Sequence, residues 1–166
     1  MARKKKQELN IVALDLGGVS AYAVNMPGGP TTGRWDVTRK GKARRPERLA
    51  RFMAELDLQL MLMGDIDAVI YERPFARGAA ATRALWGYAG IVEALAHARG
   101  AAVLDLTPGQ IKKWATGDAR ATKEDMLVAA KKMGYLGDNE HEADAYCLMK
   151  YADAMAVKGK RKWLTD

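Results

Sequence analysis

A chain of 166 residues suits one domain, long enough to bury about two-thirds of its unfolded surface. Its 27 basic against 20 acidic residues leave a net charge of +7, which favours a polyanionic partner such as nucleic acid. The single cysteine, Cys147, excludes an internal disulfide and a cysteine-based zinc cluster and fits a reducing compartment.

Residues 1–9 read as a disordered basic arm, opening Met1-Ala2-Arg3-Lys4-Lys5-Lys6. A signal peptide is excluded because the apolar stretch that follows carries Asp15 and breaks at Gly17-Gly18. No apolar run approaches the ~18 residues of a membrane-spanning helix, so the expectation is a cytoplasmic protein without a membrane partner. A strand over about 10–16 turns at the glycine pair into a second over about 20–26. Pro27-Gly28-Gly29-Pro30 should then turn the chain into a third strand around 33–38.

A basic loop, Arg39 to Arg45, leads to Pro46 at a helix start. Leu49, Phe52, Met53, Leu56, Leu60 and Met63 fall on one helical face, and Gly64 ends it. Asp67 to Pro74 is a buried strand ending in Glu72, after which a long helix spans about 79–99 with Gly87 and Gly90 on it. Small residues at that spacing permit close approach of a neighbour, either the sheet or a second copy of the chain.

A strand over 101–106 precedes Thr107-Pro108, an N-cap with proline at the first helical position. Thr122 and Asp125 open a further helix that ends near Gly134. The last helix starts at Asn139, with Glu142 assigned to its capping box, and runs to about 157. Residues 158–166 form a basic tail. Strand–helix alternation after a three-strand meander predicts an α/β fold with a mixed sheet.

Two strands end in acids, Asp15 and Glu72, and the last helix carries His141-Glu142-Ala143-Asp144. Residues three apart on a helix share a face, so His141 and Asp144 can point together at the sheet. An unpaired buried carboxylate is costly, and a cluster of three repels itself without a cation. Two Mg²⁺ or Mn²⁺ ions about 4 Å apart would turn such a cluster into a phosphodiester-cleaving centre, and hard oxygen ligands suit both ions. The bland alternative is that each acid simply ends its own element at the surface.

Leu14-Asp15-Leu16-Gly17, Tyr71-Glu72-Arg73-Pro74, Leu106-Thr107-Pro108 with Lys112-Lys113, Ala121-Thr122-Lys123, and His141-x-x-Asp144-Ala145 occur in that order. In that order and spacing they resemble the RuvC-type Holliday-junction resolvases of the ribonuclease H-like (retroviral integrase) superfamily, over about residues 10–155. The resemblance implies a ribonuclease H-like domain at 10–157, with a mixed five-stranded sheet of an antiparallel meander plus two parallel strands, flanked by helices. It implies that Asp15, Glu72 and Asp144 bind two Mg²⁺ or Mn²⁺ ions and that His141, at a position more often acidic, joins them. Lys112 or Lys113, and Lys123, match lysines that contact phosphates near the metals, Lys123 being counted with the catalytic set. Phe75 matches an aromatic that stacks on bases, and Arg73 and Arg77 flank it as nucleic-acid contacts.

The implied activity is a divalent-metal-dependent endodeoxyribonuclease acting as a homodimer on four-way junctions by paired nicks. The sequence departs from the resemblance in its first loop, where no later glycine follows Gly18, and in its basic tail. Alternatives are a ribonuclease H-like nuclease of other branched DNA, RNA or hybrids, and a non-catalytic DNA-binding module. An actin-like ATPase shares the Asp-Leu-Gly hairpin but needs two lobes, for which 166 residues are too few.

Overall fold

The computed structural model describes residues 9–26, 28–75 and 78–157. In chain order the elements are β1 (Ile11–Asp15), β2 (Val19–Met26), β3 (Gly29–Asp36), α1 (Arg45–Met63), β4 (Ala68–Glu72) and α2 (Ala79–Ala98). They continue with β5 (Ala102–Leu106), α3 (Pro108–Thr116), α4 (Lys123–Lys132) and α5 (Glu140–Val157). The strands form one sheet in the order β3-β2-β1-β4-β5. β1, β2 and β3 are antiparallel neighbours, and β1, β4 and β5 run parallel. This is the mixed five-stranded sheet that the sequence predicts.

Side chains alternate across each strand, so parity decides which helices a residue meets. Val12, Leu14, Val69 and Tyr71 pack with Phe52, Leu56 and Leu60 of α1 and with Tyr88, Val92 and Ala96 of α2. Ile11, Ala13, Ala21, Ala23 and Ile70 face the other way, onto α5, with α3 and α4 beyond it. Alanines meet across this second interface, Ala13, Ala21 and Ala23 on the sheet and Ala143, Ala145 and Ala152 on α5, all fully buried. Their small volume lets α5 lie close against β1 and β2. By the same alternation Asp15 (after Ile11 and Ala13) and Glu72 (after Ile70) are on the α5 face.

Helix starts follow their local chemistry. Thr107 caps α3 in a capping box with Gln110, and Thr122 caps α4 in one with Asp125. Proline occupies the first turn of α1 and of α3.

Three expectations need correction. β3 begins at Gly29 rather than near residue 33 and ends at Asp36, because Met26 pairs with Gly29 and Val19 with Asp36; Gly29 and Pro30 are strand, on the open edge where a missing N–H is harmless. Leu9, placed in the arm, is buried in the core, and its carbonyl accepts from Asn25 Nδ2. Gly87 makes room for α1: a Cβ there would stand 2.9 Å from Leu49 Cδ2. Gly90, by contrast, is open to solvent. The arm over 1–8, Arg77 and the tail over 158–166 lie outside the described residues. Among the described residues no helix is long and apolar enough to cross a membrane.

Candidate functional site

The site is built at one end of the sheet, where β1, β4 and β5 all finish. β1 stops at Asp15 because Leu16-Gly17-Gly18 turns the chain. Ser20, fully buried, holds that turn: its hydroxyl donates to the Gly17 carbonyl (2.8 Å) and accepts from the Gly17 N–H (3.1 Å). Val37 N–H donates to Gly18 O at 3.1 Å, joining the turn to the end of β3. A Cβ on Gly18 would lie 2.6 Å from Thr38 Cγ2, so the approach of the two loops requires glycine there.

Leu14 of β1 is in register with Tyr71 of β4, which makes Asp15 and Glu72 the next residues on adjacent parallel strands. Tyr71 points to the opposite face and donates its hydroxyl to Glu93 Oε1 of α2 at 2.6 Å. That bond fixes the strand end from which Glu72 projects. Asp144 and His141 come from the first turns of α5, which Asn139 opens by accepting the Glu142 N–H at 3.1 Å.

Glu142 does not complete the capping box assigned to it. Its carboxylate accepts instead from Thr32 Oγ1 of β3 (2.8 Å) and from the Tyr135 hydroxyl (3.4 Å). The Asn139 N–H donates to the Tyr135 hydroxyl. Glu142 therefore straps the first turn of α5 to β3.

Burial and mutual repulsion dominate the electrostatics. Glu72 is pushed up to about 7 by desolvation, then by the charges of Asp15 and Asp144, with Lys112 opposing. Asp144 is pushed up to about 6 by desolvation and then by Asp15, with Lys123, His141 and Lys112 opposing. The His141 imidazole is 2.7 Å from Asp15 through Nδ1, and this hydrogen bond raises its pKa above the ordinary value of 6.5. The three acids and the imidazole thus lie at one end of the sheet, near enough to feel one another's charge, with His141 in direct contact with Asp15 alone.

The flanking basic residues divide. Lys112 is the member of its pair that faces the acids, and its Nζ donates to Ala121 O at 2.7 Å, tying α3 to the start of α4. Lys113 is exposed. Lys123, on the first turn of α4, is 3.3 Å from Glu140 and near enough to act on Asp144 and His141. Arg73 makes a two-pronged salt bridge to Asp105 of β5 (2.5 and 3.2 Å), a partner the sequence reading did not supply. Phe75 is 80% exposed, so packing does not account for it.

The donor set suits hard divalent cations: three carboxylates, two of which, Glu72 and Asp144, are raised by burial and then by neighbouring negative charge, plus one imidazole. Among the described residues no three such groups form a ready-made cage, and Asp15 is engaged by His141. A bound cation would have to draw the acids inward and compete with the imidazole for Asp15. Glu72 and Asp144 would lose their protons in the process.

The chain is similar in structure to Thermus thermophilus RuvC, with a TM-score of 0.71 and 20% identity, covering 90% of this chain and 96% of that one. The fold is of the RuvC type. A second RuvC structure from T. thermophilus, solved in complex with a Holliday junction substrate, is similar at a TM-score of 0.74 and 18% identity, covering 91% of this chain and 96% of that one. No family model matches the sequence, and no curated protein matches it.

Sequence reasoning missed Ser20 and Asp105 and gave Glu142 the wrong partner. Ser20 carried a usable signal, a hydroxyl amid apolar strand residues three positions beyond the turn it ties. The partners of Glu142 and Asp105 lie 110 and 32 residues away, and nothing local announces them.

Proposed function

We propose that this chain is a divalent-metal-dependent endodeoxyribonuclease that resolves four-way DNA junctions. The observation that carries the reading is the meeting of Asp15, Glu72 and Asp144 from β1, β4 and α5 at one sheet end, two of them held well above the usual carboxylate range. The RuvC-type fold supports it, since a similar RuvC was solved with a Holliday junction substrate. A non-catalytic binding module has no use for three mutually repelling acids facing its anionic partner.

In this reading Asp15, Glu72, Asp144 and His141 hold two Mg²⁺ or Mn²⁺ ions. Bound there, the ions supply an activated water and neutralise charge developing on the scissile phosphate. Lys112 and Lys123 bring positive charge to the phosphates beside the acids, the first held by Ala121 O and the second freed from Glu140 when a phosphate competes for it. Phe75, exposed beside Pro74, offers a ring on which a splayed base can stack, worth roughly 1–3 kcal/mol per base. Arg73, Arg77 and Lys113 extend the contact.

Paired nicks on a near two-fold junction call for two linked sites, hence a homodimer acting in the cytoplasm. Gly90 and the half-exposed Trp86 on α2 offer a surface for that seam, whereas Gly87 is already used by α1.

The test is a cleavage assay on equal labelled four-way junction, RNA–DNA hybrid and linear duplex, with and without Mg²⁺ or Mn²⁺, run alongside sedimentation. Metal-dependent, symmetrical cutting of the junction by a dimer is expected. Preference for the hybrid would favour a ribonuclease H-like activity, and no metal-dependent cutting of any substrate would leave only a binding module.

A further inference from the structure

The turn between β3 and α1 contains the only non-glycine residues with positive φ among those described. Arg39 (φ 49°) and Lys40 (φ 56°) are both left-handed, and Gly41 follows at 83°. Left-handed backbone suits glycine and, less well, asparagine; two successive long basic residues there are unfavourable. Local packing gives no reason for them, because both side chains are exposed and, among the described residues, neither forms an ion pair.

The conformation is nevertheless firmly held. Ala43 N–H donates to Thr38 O (2.9 Å), Lys42 N–H to Arg39 O (3.3 Å), and Gly41 N–H to Thr38 Oγ1 (3.3 Å). Thr38 in turn donates through its N–H (2.9 Å) and hydroxyl (2.6 Å) to Asp36 Oδ1. Ala43 is buried, and its carbonyl accepts from Arg48 Nε at 2.7 Å. The turn is a built feature that displays charge.

Topology places it at the same end of the sheet as the acids. β3 is antiparallel to β2 and β2 to β1, so β3 ends where β1 ends, and Val19 pairs with Asp36. The Val37–Gly18 hydrogen bond and the Thr38–Gly18 approach join the turn to the loop that follows Asp15. Along the sheet the end of β3, where the turn begins, lies two to three strand spacings from the ends of β1 and β4, about 10–15 Å. That separation is comparable to the width of a duplex groove, about 12 Å for the major one. Exposed Lys42, Arg44 and Arg45 continue the positive surface. The Asp36 carboxylate, held by Thr38, also feels Lys40.

The geometry points to a second, non-catalytic phosphate site at Arg39 and Lys40, which grips the backbone of the nucleic-acid arm whose cleavable phosphate lies at the acids. This rests on the nucleic-acid reading above. It adds that the left-handed turn exists to present these two cations to phosphates across a groove.

The decisive variant is R39G/K40G, which removes the charges while giving the backbone the residue its φ angles favour. Binding is measured in chelator, to prevent cutting, on labelled four-way junction and linear duplex over a range of KCl concentrations. The variant should keep the thermal midpoint of the unmodified protein yet bind both DNAs about tenfold or more weakly at low salt. The slope of log affinity against log salt should fall by about 2, since each neutralised phosphate contributes about 0.9. The exchange variant R39K/K40R, which keeps the charges, should retain affinity and slope.

Unchanged affinity and slope in a folded R39G/K40G, beside an unmodified protein that binds DNA, would overturn the phosphate site alone. An unmodified protein that binds neither DNA would overturn the proposed function and the site with it.

Discussion

His141 Nδ1 lies 2.7 Å from Asp15 Oδ2, linking the first turn of the last helix to the end of the first strand across 126 residues. The pair closes over the strand end and puts an imidazole where a cation would need Asp15. The hydrogen bond to Asp15 raises the His141 pKa above 6.5, outweighing burial, which acts the other way. A raised histidine stabilises the fold fully below its unfolded value and loses that contribution as pH climbs through the folded one.

For activity the consequence is opposite in sign, because the imidazole must be neutral to bind metal. At limiting Mn²⁺ the acid-side loss of cleavage is therefore expected above pH 6.5 and should move downward as Mn²⁺ rises. H141D, which exchanges a nitrogen ligand for oxygen, should weaken this acid limb and shift preference from Mn²⁺ toward Mg²⁺. If His141 serves only to orient Asp15, the Mn²⁺/Mg²⁺ activity ratio of H141D will equal that of the unmodified protein.

The two raised acids make a second, metal-free prediction. Glu72 at about 7 and Asp144 at about 6 bind protons in the folded state that they release on unfolding at the same pH. Where the native state holds more protons, stability falls as pH rises. Without divalent ions the protein should thus be more stable near pH 5 than near pH 8, the loss being spread through the range between the unfolded and folded values. E72Q removes the buried charge and should recover about 1–3 kcal/mol at pH 8 and little at pH 5. Thermal melts in chelator at the two pH values check this, and a greater gain at pH 5 would refute it.

Asp144 tests catalysis separately from binding. D144N should abolish junction cleavage while preserving or improving junction affinity, since less negative charge then faces the phosphates. Substantial cutting by D144N would remove Asp144 from the metal-binding set.

Much of this architecture was legible in the chain because its signals are local. Apolar runs interrupted by Gly17-Gly18, Gly64 and Pro74 bounded the elements, and Thr107-Pro108 and Thr122-x-x-Asp125 opened α3 and α4 as written. Asp15 and Glu72 stood out because acids at the ends of buried strands are anomalous. The errors came where partners are distant. The Glu142 sequence position fits a capping box, but Thr32 and Tyr135 offer the carboxylate better-placed donors, and only the fold brings them there. β3 was displaced because Gly29 and Pro30 carry turn chemistry, yet pairing with β2 extends the ladder through them. The Arg73–Asp105 pair was not legible because the two residues lie 32 positions apart in the chain.

The Glu142 strap yields the last prediction. Glu142 is one residue from His141 and two from Asp144, yet it faces β3, so it acts on the site by holding the turn that carries both. E142Q keeps the shape and can still accept the Thr32 hydroxyl, although a neutral acceptor makes the weaker bond. E142A leaves the Thr32 hydroxyl without that acceptor, at a cost of about 1–3 kcal/mol if it stays buried, whereas the Tyr135 phenol keeps the Asn139 carbonyl at 3.2 Å. The expected order of stability is unmodified, then E142Q, then E142A. The charge of Glu142 also helps to raise the Tyr22 pKa, so either substitution should lower the Tyr22 phenol value. Loss of positioning should reduce kcat for junction cleavage in E142A more than it weakens junction binding, with E142Q partly restoring kcat. Equal kcat in all three proteins, with E142A shown to be folded and less stable, would confine Glu142 to a structural role.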